Sequence, residues 1–360
     1  MTFVCRSTLA PIDADGFTPS ARTRLLGSRK RLAHRLSFTR AEVIRYRAEV
    51  ADWMSISGVQ DKVSLRYEKG ELVPTDQNGE FILKPIPGTP LPQHTDQVPA
   101  NEHLTMQIAA QVFAIDTAAN ALVTLADGEP AYLTRRFDRR DGVKVDMEDF
   151  CALAEQSPET HGRNYKYDGS YERIGQLARR FCPAYRVESE KLFQRVLFCY
   201  AYGNGDAHLK NFSLFTSADG DPVFTPAYDL INTTLHLPTP GGQGGRRSEG
   251  RDNGAVRHRP EDPKPPLKAK AQLALDLFVD DHETPAFQAL GFHCGSDFLL
   301  LAERLGVVAS RAERLLARHL DREAQRLVDE LIGRSFLSPE AQDRYRAVIN
   351  DRRLALSQRG

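Results

Sequence analysis

The sequence predicts an α+β fold in two lobes, a small β-rich N-terminal lobe and a large, mainly helical C-terminal lobe. Two observations predict it. Between about residues 55 and 140, short runs alternate apolar with polar residues and are separated by glycine-bearing turns, the pattern of half-buried strands. From 141 onward, apolar residues recur mostly at helical spacing. At 360 residues and 41% hydrophobic, the chain can fill more than one core. The predicted division is 1–36 as an N-terminal arm, 37–140 as the N-lobe, and 141–360 as the C-lobe with a flexible insertion at 237–271.

The elements follow in order. Residues 1–36 look irregular, with a basic cluster from Arg22 to Arg35 that has no interleaved aromatics and reads as a solvated arm or short helix. Thr39 and Glu42 make a T-x-x-E capping pattern ahead of a helix carrying Val43, Ile44 and Val50. SISGVQDK, 55–62, runs into VSLRY, where Val63, Leu65 and Tyr67 alternate as in a strand. Lys69-Gly70 and Asn78-Gly79 read as turns, and FILKP, 81–85, as a strand stopped by proline. NEHLTMQIAAQVFA, 101–114, predicts an amphipathic helix with Leu104, Ile108 and Val112 on one face. ALVTL and AYLTRRF read as strands, EDFCALAEQ (148–156) as a helix, and SEKLFQRVLFCYAYGN (189–204) as a buried helix ending at Gly203. NFSLF, the turn SADGD and PVFTPAYD predict a hairpin. The Gly-, Pro- and Arg-rich stretch 237–271 has almost no large apolar residues and reads as a mobile, solvated insertion. Four helical patterns follow: FLLLAERLGVV, RAERLLARHL, EAQRLVDELIG and RYRAVINDRRLAL.

Forty-eight basic residues balance forty-eight acidic ones, so there is no global field to hold a nucleic acid or an acidic membrane. Five scattered cysteines without a CxxC pair argue against a disulfide framework or zinc knuckle and for core thiols in a reducing cytosol. The N-terminus builds no apolar run of signal length and no window reaches the length of a membrane span. A soluble cytoplasmic protein is expected.

The chemistry concentrates in GNGDAHLKNFSLF, 203–215. An Asp five residues before an Asn, at a helix exit and ahead of a hairpin, suits phosphoryl transfer. Asp206 accepts or orients the proton of an attacking hydroxyl, and Asn211 offers an amide oxygen to magnesium. The charged second ligand is Asp229, because a hairpin returns its end to the place where Asn211 begins it. Hard oxygen donors fit a magnesium ion held mainly by phosphates and water. Lys210 is placed to neutralise the moving phosphoryl group. Upstream, the loop around Gly58 offers backbone N–H groups to phosphates, Lys84 on the following strand reaches the nucleotide, and Glu102 on the next helix orients that lysine. Taken singly, each residue has a plain structural role: Asp206 in an Asx turn, Asn211 capping a turn, Asp229 paired with an arginine, Lys84 exposed, His208 bonded to loop backbone. It is the ordered set that favours catalysis over these.

These stretches (SISGVQDKVSL, FILKP, Asn101-Glu102, TRRFDRR at 134–140, EDFCALA, GNGDAHLKNFSLF and TPAYDL) resemble the HipA family of serine/threonine kinase toxins. The resemblance runs from about Ser55 to Asp229, with looser likeness in LALDLF and DFLLLAERLG. It implies a two-lobed, protein-kinase-like fold with an enlarged helical lobe. It implies ATP and Mg2+ as cofactors, with Asp206 catalytic and Asn211 and Asp229 as metal ligands. Nucleotide contacts are implied for Ser57, Gly58, Val59, Gln60, Asp61 and Lys62 of the phosphate loop, for Lys84, for Arg135, Arg136 and Phe137 of the hinge, and for Tyr228; His208 is a further candidate. Family members often carry Glu at the hinge where Arg135 stands. Only 54 residues precede Ser55, which is similar to the short HipT-type toxins of three-gene toxin–antitoxin systems. The SIS spelling implies autophosphorylation at Ser55 or Ser57. Implied partners are a protein substrate of the aminoacyl-tRNA synthetase class, a helix-turn-helix antitoxin and a companion N-domain protein; no direct nucleic-acid contact and no membrane are required.

Three other readings stand beside this one. A small-molecule kinase of the aminoglycoside type shares G-D-x-x-x-x-N but usually has His where Asn204 stands. A metallophosphoesterase needs further His and Asp ligands that the sequence lacks. A non-catalytic kinase-fold module conflicts with the retention of Lys84, Asp206, Asn211 and Asp229.

Overall fold

The computed structural model describes residues 3–51, 62–140, 143–238, 273–279 and 282–358. The expected strands build one five-stranded antiparallel sheet in the order Glu71–Pro74, Val63–Glu68, Phe81–Pro85, Pro130–Arg135, Asn120–Thr124. Lys69 and Gly70, both at positive φ (47° and 103°), close the first hairpin as a two-residue turn of the primed kind. The pleat then sorts the side chains. Leu83, Leu133 and Ala121 lie in register and face an outer core with Leu25, Leu32, Leu36 and Val43. One residue along each strand, Lys84, Tyr132 and Leu122 are also in register and take the opposite face.

That second face meets the helix Val98–Gln111. The sequence predicts an amphipathic helix over 101–114, and the structure corrects it: the helix begins and ends three residues earlier and is buried on nearly every side, from Val98 to Ala109. It lies between the sheet and the C-terminal helices, with Thr105 bonded to the Tyr345 hydroxyl at 2.9 Å, so it has no broad solvent face to mark with polar residues.

Of the two readings of the N-terminal segment, the short helix is present, but the segment is packed rather than a solvated arm. It forms the small pair Phe3–Val4 with Pro11–Ile12 and the helix Pro19–Leu26, capped by Thr18 and closed by Gly27 at φ 71°. Leu25, Leu32 and Leu36 are buried in the outer core. Residues 34–36 run beside the edge strand Asn120–Thr124, with Leu36 N–H on Thr124 O (2.8 Å) and Thr124 N–H on His34 O (2.9 Å), which covers that edge. The basic cluster hid this packing, because its leucines are spaced too irregularly to read as one face. The capping box at the next helix, Arg40–Ala51, forms as expected: Glu42 accepts from the Thr39 N–H at 2.7 Å and the Thr39 hydroxyl accepts from the Glu42 N–H at 3.3 Å.

A second, larger core gathers the helices Tyr171–Phe181, Tyr185–Ala201, Gly295–Arg304, Ala309–Leu320, Arg322–Arg334 and Pro339–Ser357. The predicted hairpin is present, Ser213–Thr216 against Pro222–Phe224. Its outer partner is a surprise. Met147–Asp149 is a third strand, which takes the first two residues of the helix expected over 148–156, and only Phe150–Leu153 is helical, with Asp149 accepting from Ala152 N–H at 3.0 Å as its cap. Pairing with Ser213–Phe215 overrides the local helical preference. All five cysteines are buried and unpaired. Among the described residues, no helix is long and apolar enough to cross a membrane. The insertion expected at 237–271 lies almost wholly outside the described residues.

Candidate active site

The site assembles where the sheet, the buried helix and the loop 203–211 meet. Lys84 stands on the inner sheet face, opposite Glu102 on the helix, and its Nζ is 2.5 Å from Glu102 Oε1. The same ammonium bonds Asp229 Oδ1 and lies 5.3 Å from the centre of the Tyr132 ring. Burial disfavours the charge on Lys84, but Asp229 and Glu102 outweigh it and hold its pKa above that of a free lysine. Burial also works against the Asp229 carboxylate; Lys84 and Lys62 reverse the effect and hold it well below the usual carboxylate range. Glu102 goes the other way. Its burial, with only partial relief from Lys84, raises its pKa. Lys62 Nζ is 3.9 Å from Asp229 Oδ2, so two lysines flank one aspartate. Asp229 sits at φ 55°, a left-handed backbone position that aspartate tolerates better than most residues.

The expected trio is brought together. Asn211 donates from Nδ2 to Asp206 O at 2.8 Å, which turns its amide oxygen away from that bond. Asn211 and Asp229 line one pocket, with Tyr228 and the buried Arg195. The tie between them is Asn204, which stands where small-molecule kinases of this motif usually carry His. Its side chain is 1% exposed. Its Oδ1 accepts from Asp206 N–H at 3.1 Å and its Nδ2 donates to Asp229 O at 3.4 Å, so one amide sets both acidic residues. An Asn two residues before an Asp is an Asx-turn signal, and that part was open to sequence reading.

Other predicted residues are placed differently. Lys210 is not a free cation: Nζ bonds Asp149 Oδ2 at 2.6 Å, because the strand Met147–Asp149 ends beside the loop. Neutralising a phosphoryl group would require it to leave that pair. His208 is 6% exposed, and its ring meets Tyr167 edge-on at 5.2 Å; among the described residues its Nδ1 has no hydrogen-bond partner. Tyr228 packs against Phe137 at 5.6 Å and anchors through its hydroxyl to Lys210 O and Ser213 Oγ. Arg136 is held bidentately by Asp138, and the Arg135 guanidinium lies against Gly27, where a Cβ would stand 3.3 Å from Nη1. The backbone N–H groups of both arginines already bond within the protein, to Ala119 O and Glu80 O. Ser55, Ser57, Gly58, Val59, Gln60 and Asp61 lie outside the described residues. Among the described residues, no group of three or more His, Cys, Asp or Glu side chains is placed to hold a metal. The oxygens of Asn211 and Asp229 fit only an ion that takes its remaining ligands from phosphate and water.

A lysine on a small antiparallel sheet, paired to a helix glutamate above a helical lobe with an Asp-x4-Asn loop, defines a two-lobed, protein-kinase-like fold. A solved chain from the HipA, HipB and operator DNA complex of Shewanella oneidensis MR-1 shares that fold, with a TM-score of 0.56 and 20% identity, covering 96% of this chain and 75% of that one. The chain belongs to the HipA-like C-terminal domain family, whose model matches residues 54–324. A Haemophilus influenzae protein provisionally named a kinase is 25% identical over 351 residues, 92% of this chain and 91% of that protein. The serine/threonine-protein kinase toxin HipA of Shewanella oneidensis is 27% identical over 202 residues, 51% of this chain and 44% of that toxin.

Proposed function

We propose that this chain is an ATP-dependent serine/threonine protein kinase of the HipA toxin kind, transferring the γ-phosphoryl group to a protein serine. One observation carries the reading: Lys84, clasped by Glu102, reaches Asp229, while Asn204 ties Asp229 to Asp206. Lys84 and Lys62 hold the nucleotide phosphates. Asp206 orients the acceptor hydroxyl and takes its proton as the new O–P bond forms and the bond to the β,γ-bridging oxygen breaks, releasing ADP. Asn211 and Asp229 would hold Mg2+, which neutralises charge on the phosphates when bound. The catalytic work is positioning and electrostatics, which explains why a buried, internally neutralised lysine cluster suits it.

The test is radiolabelled ATP added to a cell lysate with the wild-type protein or Asp206→Asn. Labelling of one or a few proteins by the wild type alone is expected, with an aminoacyl-tRNA synthetase as the proposed target. Label confined to small molecules, or equal with both proteins, would refute the reading. A HipT-like character, with a cytoplasmic toxin restrained by a helix-turn-helix antitoxin and a companion N-domain protein, is proposed with it. Its mark is phosphate at Ser55 or Ser57 in the purified protein after incubation with ATP and magnesium, where about −1.5 to −2 charge would oppose ATP phosphates. Mass spectrometry finding neither serine modified removes that part.

Asn204→Ala tests the tie. Loss of two part-buried hydrogen bonds is expected to cost roughly 1–3 kcal/mol in urea unfolding. Misplacing Asp206 against Asp229 is expected to cut phosphoryl transfer by roughly 10²-fold. A variant as active as wild type would show that the amide bridge does not set the site.

A further inference from the structure

One carboxylate oxygen of half-buried Asp206 already has a hydroxyl donor. Tyr167 donates its hydroxyl to Asp206 Oδ1 at 2.6 Å, an O–H on a carboxylate, which is the contact an attacking serine hydroxyl would make. The ring stands edge-on to His208 on one side, and the Lys166 ammonium lies 4.9 Å from its centre. Yet Tyr167 is 39% exposed, so this is a cover laid over the site rather than a piece of core.

The segment bearing it is a short turn bounded by two glycines. Tyr165–Tyr167 is a single 3-10 turn between Gly162 at φ 70° and Gly169 at φ 152°. Both glycines hold left-handed or mirror-extended backbone that other residues resist. Beyond the second glycine the chain is pinned: Tyr171 is fully buried and its hydroxyl bonds Ala207 O at 2.9 Å. Before the turn, Gln156 Nε2 bonds Asp168 O at 3.0 Å across an exposed stretch. Within the turn, half-buried Tyr165 rests on the main core, and the Tyr167 hydroxyl is the turn's hydrogen bond to Asp206.

We propose that the position of the Tyr167 hydroxyl is the acceptor-hydroxyl subsite, and that the turn 162–169 is an internal plug which a protein serine, or water, must displace to reach Asp206. This rests on the kinase reading above and adds to it where the acceptor binds and what competes there. The competition is intramolecular and needs no partner.

Tyr167→Phe removes the hydroxyl while keeping the ring. Loss of a hydrogen bond to a charged group frees the plug by roughly tenfold or more. Two measurements read it. The first is phosphate release from ATP and magnesium, with water as acceptor: its oxygen attacks the γ-phosphorus, its proton goes to Asp206, and ADP leaves. A several-fold rise over wild type is expected, abolished by adding Asp206→Asn. The second uses no nucleotide. Trypsin cleavage after Arg163 and Lys166 is expected to quicken about tenfold, with the urea midpoint lowered by no more than the loss of that one bond accounts for. Wild type that releases phosphate while Tyr167→Phe releases it no faster overturns the plug, as does unchanged cleavage. If cleavage quickens but neither protein binds ATP or releases phosphate, the kinase reading fails and the acceptor role falls with it.

Discussion

Lys84→Met is expected to lower stability by about 3–5 kcal/mol and to abolish ATP binding together with phosphoryl transfer. The substitution preserves length and volume but strips the charge from a buried cluster. Glu102 then loses its buried ion-pair partner, and Asp229 keeps Lys62, 3.9 Å away. Removing one partner of a buried ion pair is costly because the other charge stays desolvated, and roughly 3–5 kcal/mol is typical. The pH dependence gives a second reading. In the wild type, Asp229 is held below its unfolded pKa, so its contribution is complete above the ordinary carboxylate range and is lost only in strong acid. Glu102 has a raised pKa already. Without Lys84 it rises further, so the deficit of the variant should narrow as the pH falls from neutral toward acid and Glu102 protonates in the folded state. Urea midpoints across pH, with ATP titration at neutral pH, check both halves. A variant with the wild-type midpoint would show that the lysine does not hold these two carboxylates.

Asp206→Asn should cut phosphoryl transfer by about 10³-fold, within the span for loss of a positioned general base, while ATP affinity changes little. Asparagine matches the shape and still accepts the Tyr167 hydroxyl through its amide oxygen, but it cannot take a proton at neutral pH. Asp206 is half-buried in a loop whose backbone is fixed independently, by Asn204 through its N–H and by Asn211 and His208 through its carbonyl, so the fold should tolerate the change to within about 1 kcal/mol. Initial rates and calorimetric ATP binding, measured side by side, separate this from the lysine variant, which should fail in both. Retained turnover would remove Asp206 from the reaction.

The candidate site was legible where its parts are close in sequence or joined by a simple geometric rule. Asp206 and Asn211 are five residues apart, and a hairpin had to bring Asp229 back to them. Lys84 was legible because FILKP reads as a short strand stopped by proline, though its face was not. Tyr132 and Lys84 are paired across strands forty-eight positions apart, and only the register puts their side chains together. Asp149 was hidden by a local helical pattern that strand pairing overrode, and Lys210 was consequently assigned a freedom it does not have. Tyr167 carried no signal. It lies thirty-nine residues before Asp206 in an unremarkable polar stretch, and only the docking of Tyr171 against the catalytic loop delivers it.

By itself the sequence determined the local vocabulary: the capping box at Thr39, the Lys69-Gly70 hairpin, the alternating strands, the closing hairpin after Asn211, and hence the class of fold and the residue types that carry its chemistry. These depend on backbone sterics and on periods of two and 3.6 residues, which a few neighbours specify. The tertiary structure alone decided which faces meet. It buried the helix 98–111 on nearly every side, packed the N-terminal leucines against the sheet, gave Lys84 two carboxylates and laid Tyr167 over Asp206. Those outcomes depend on contacts between residues far apart in the chain, where burial and charge are set by the whole assembly rather than by any one segment.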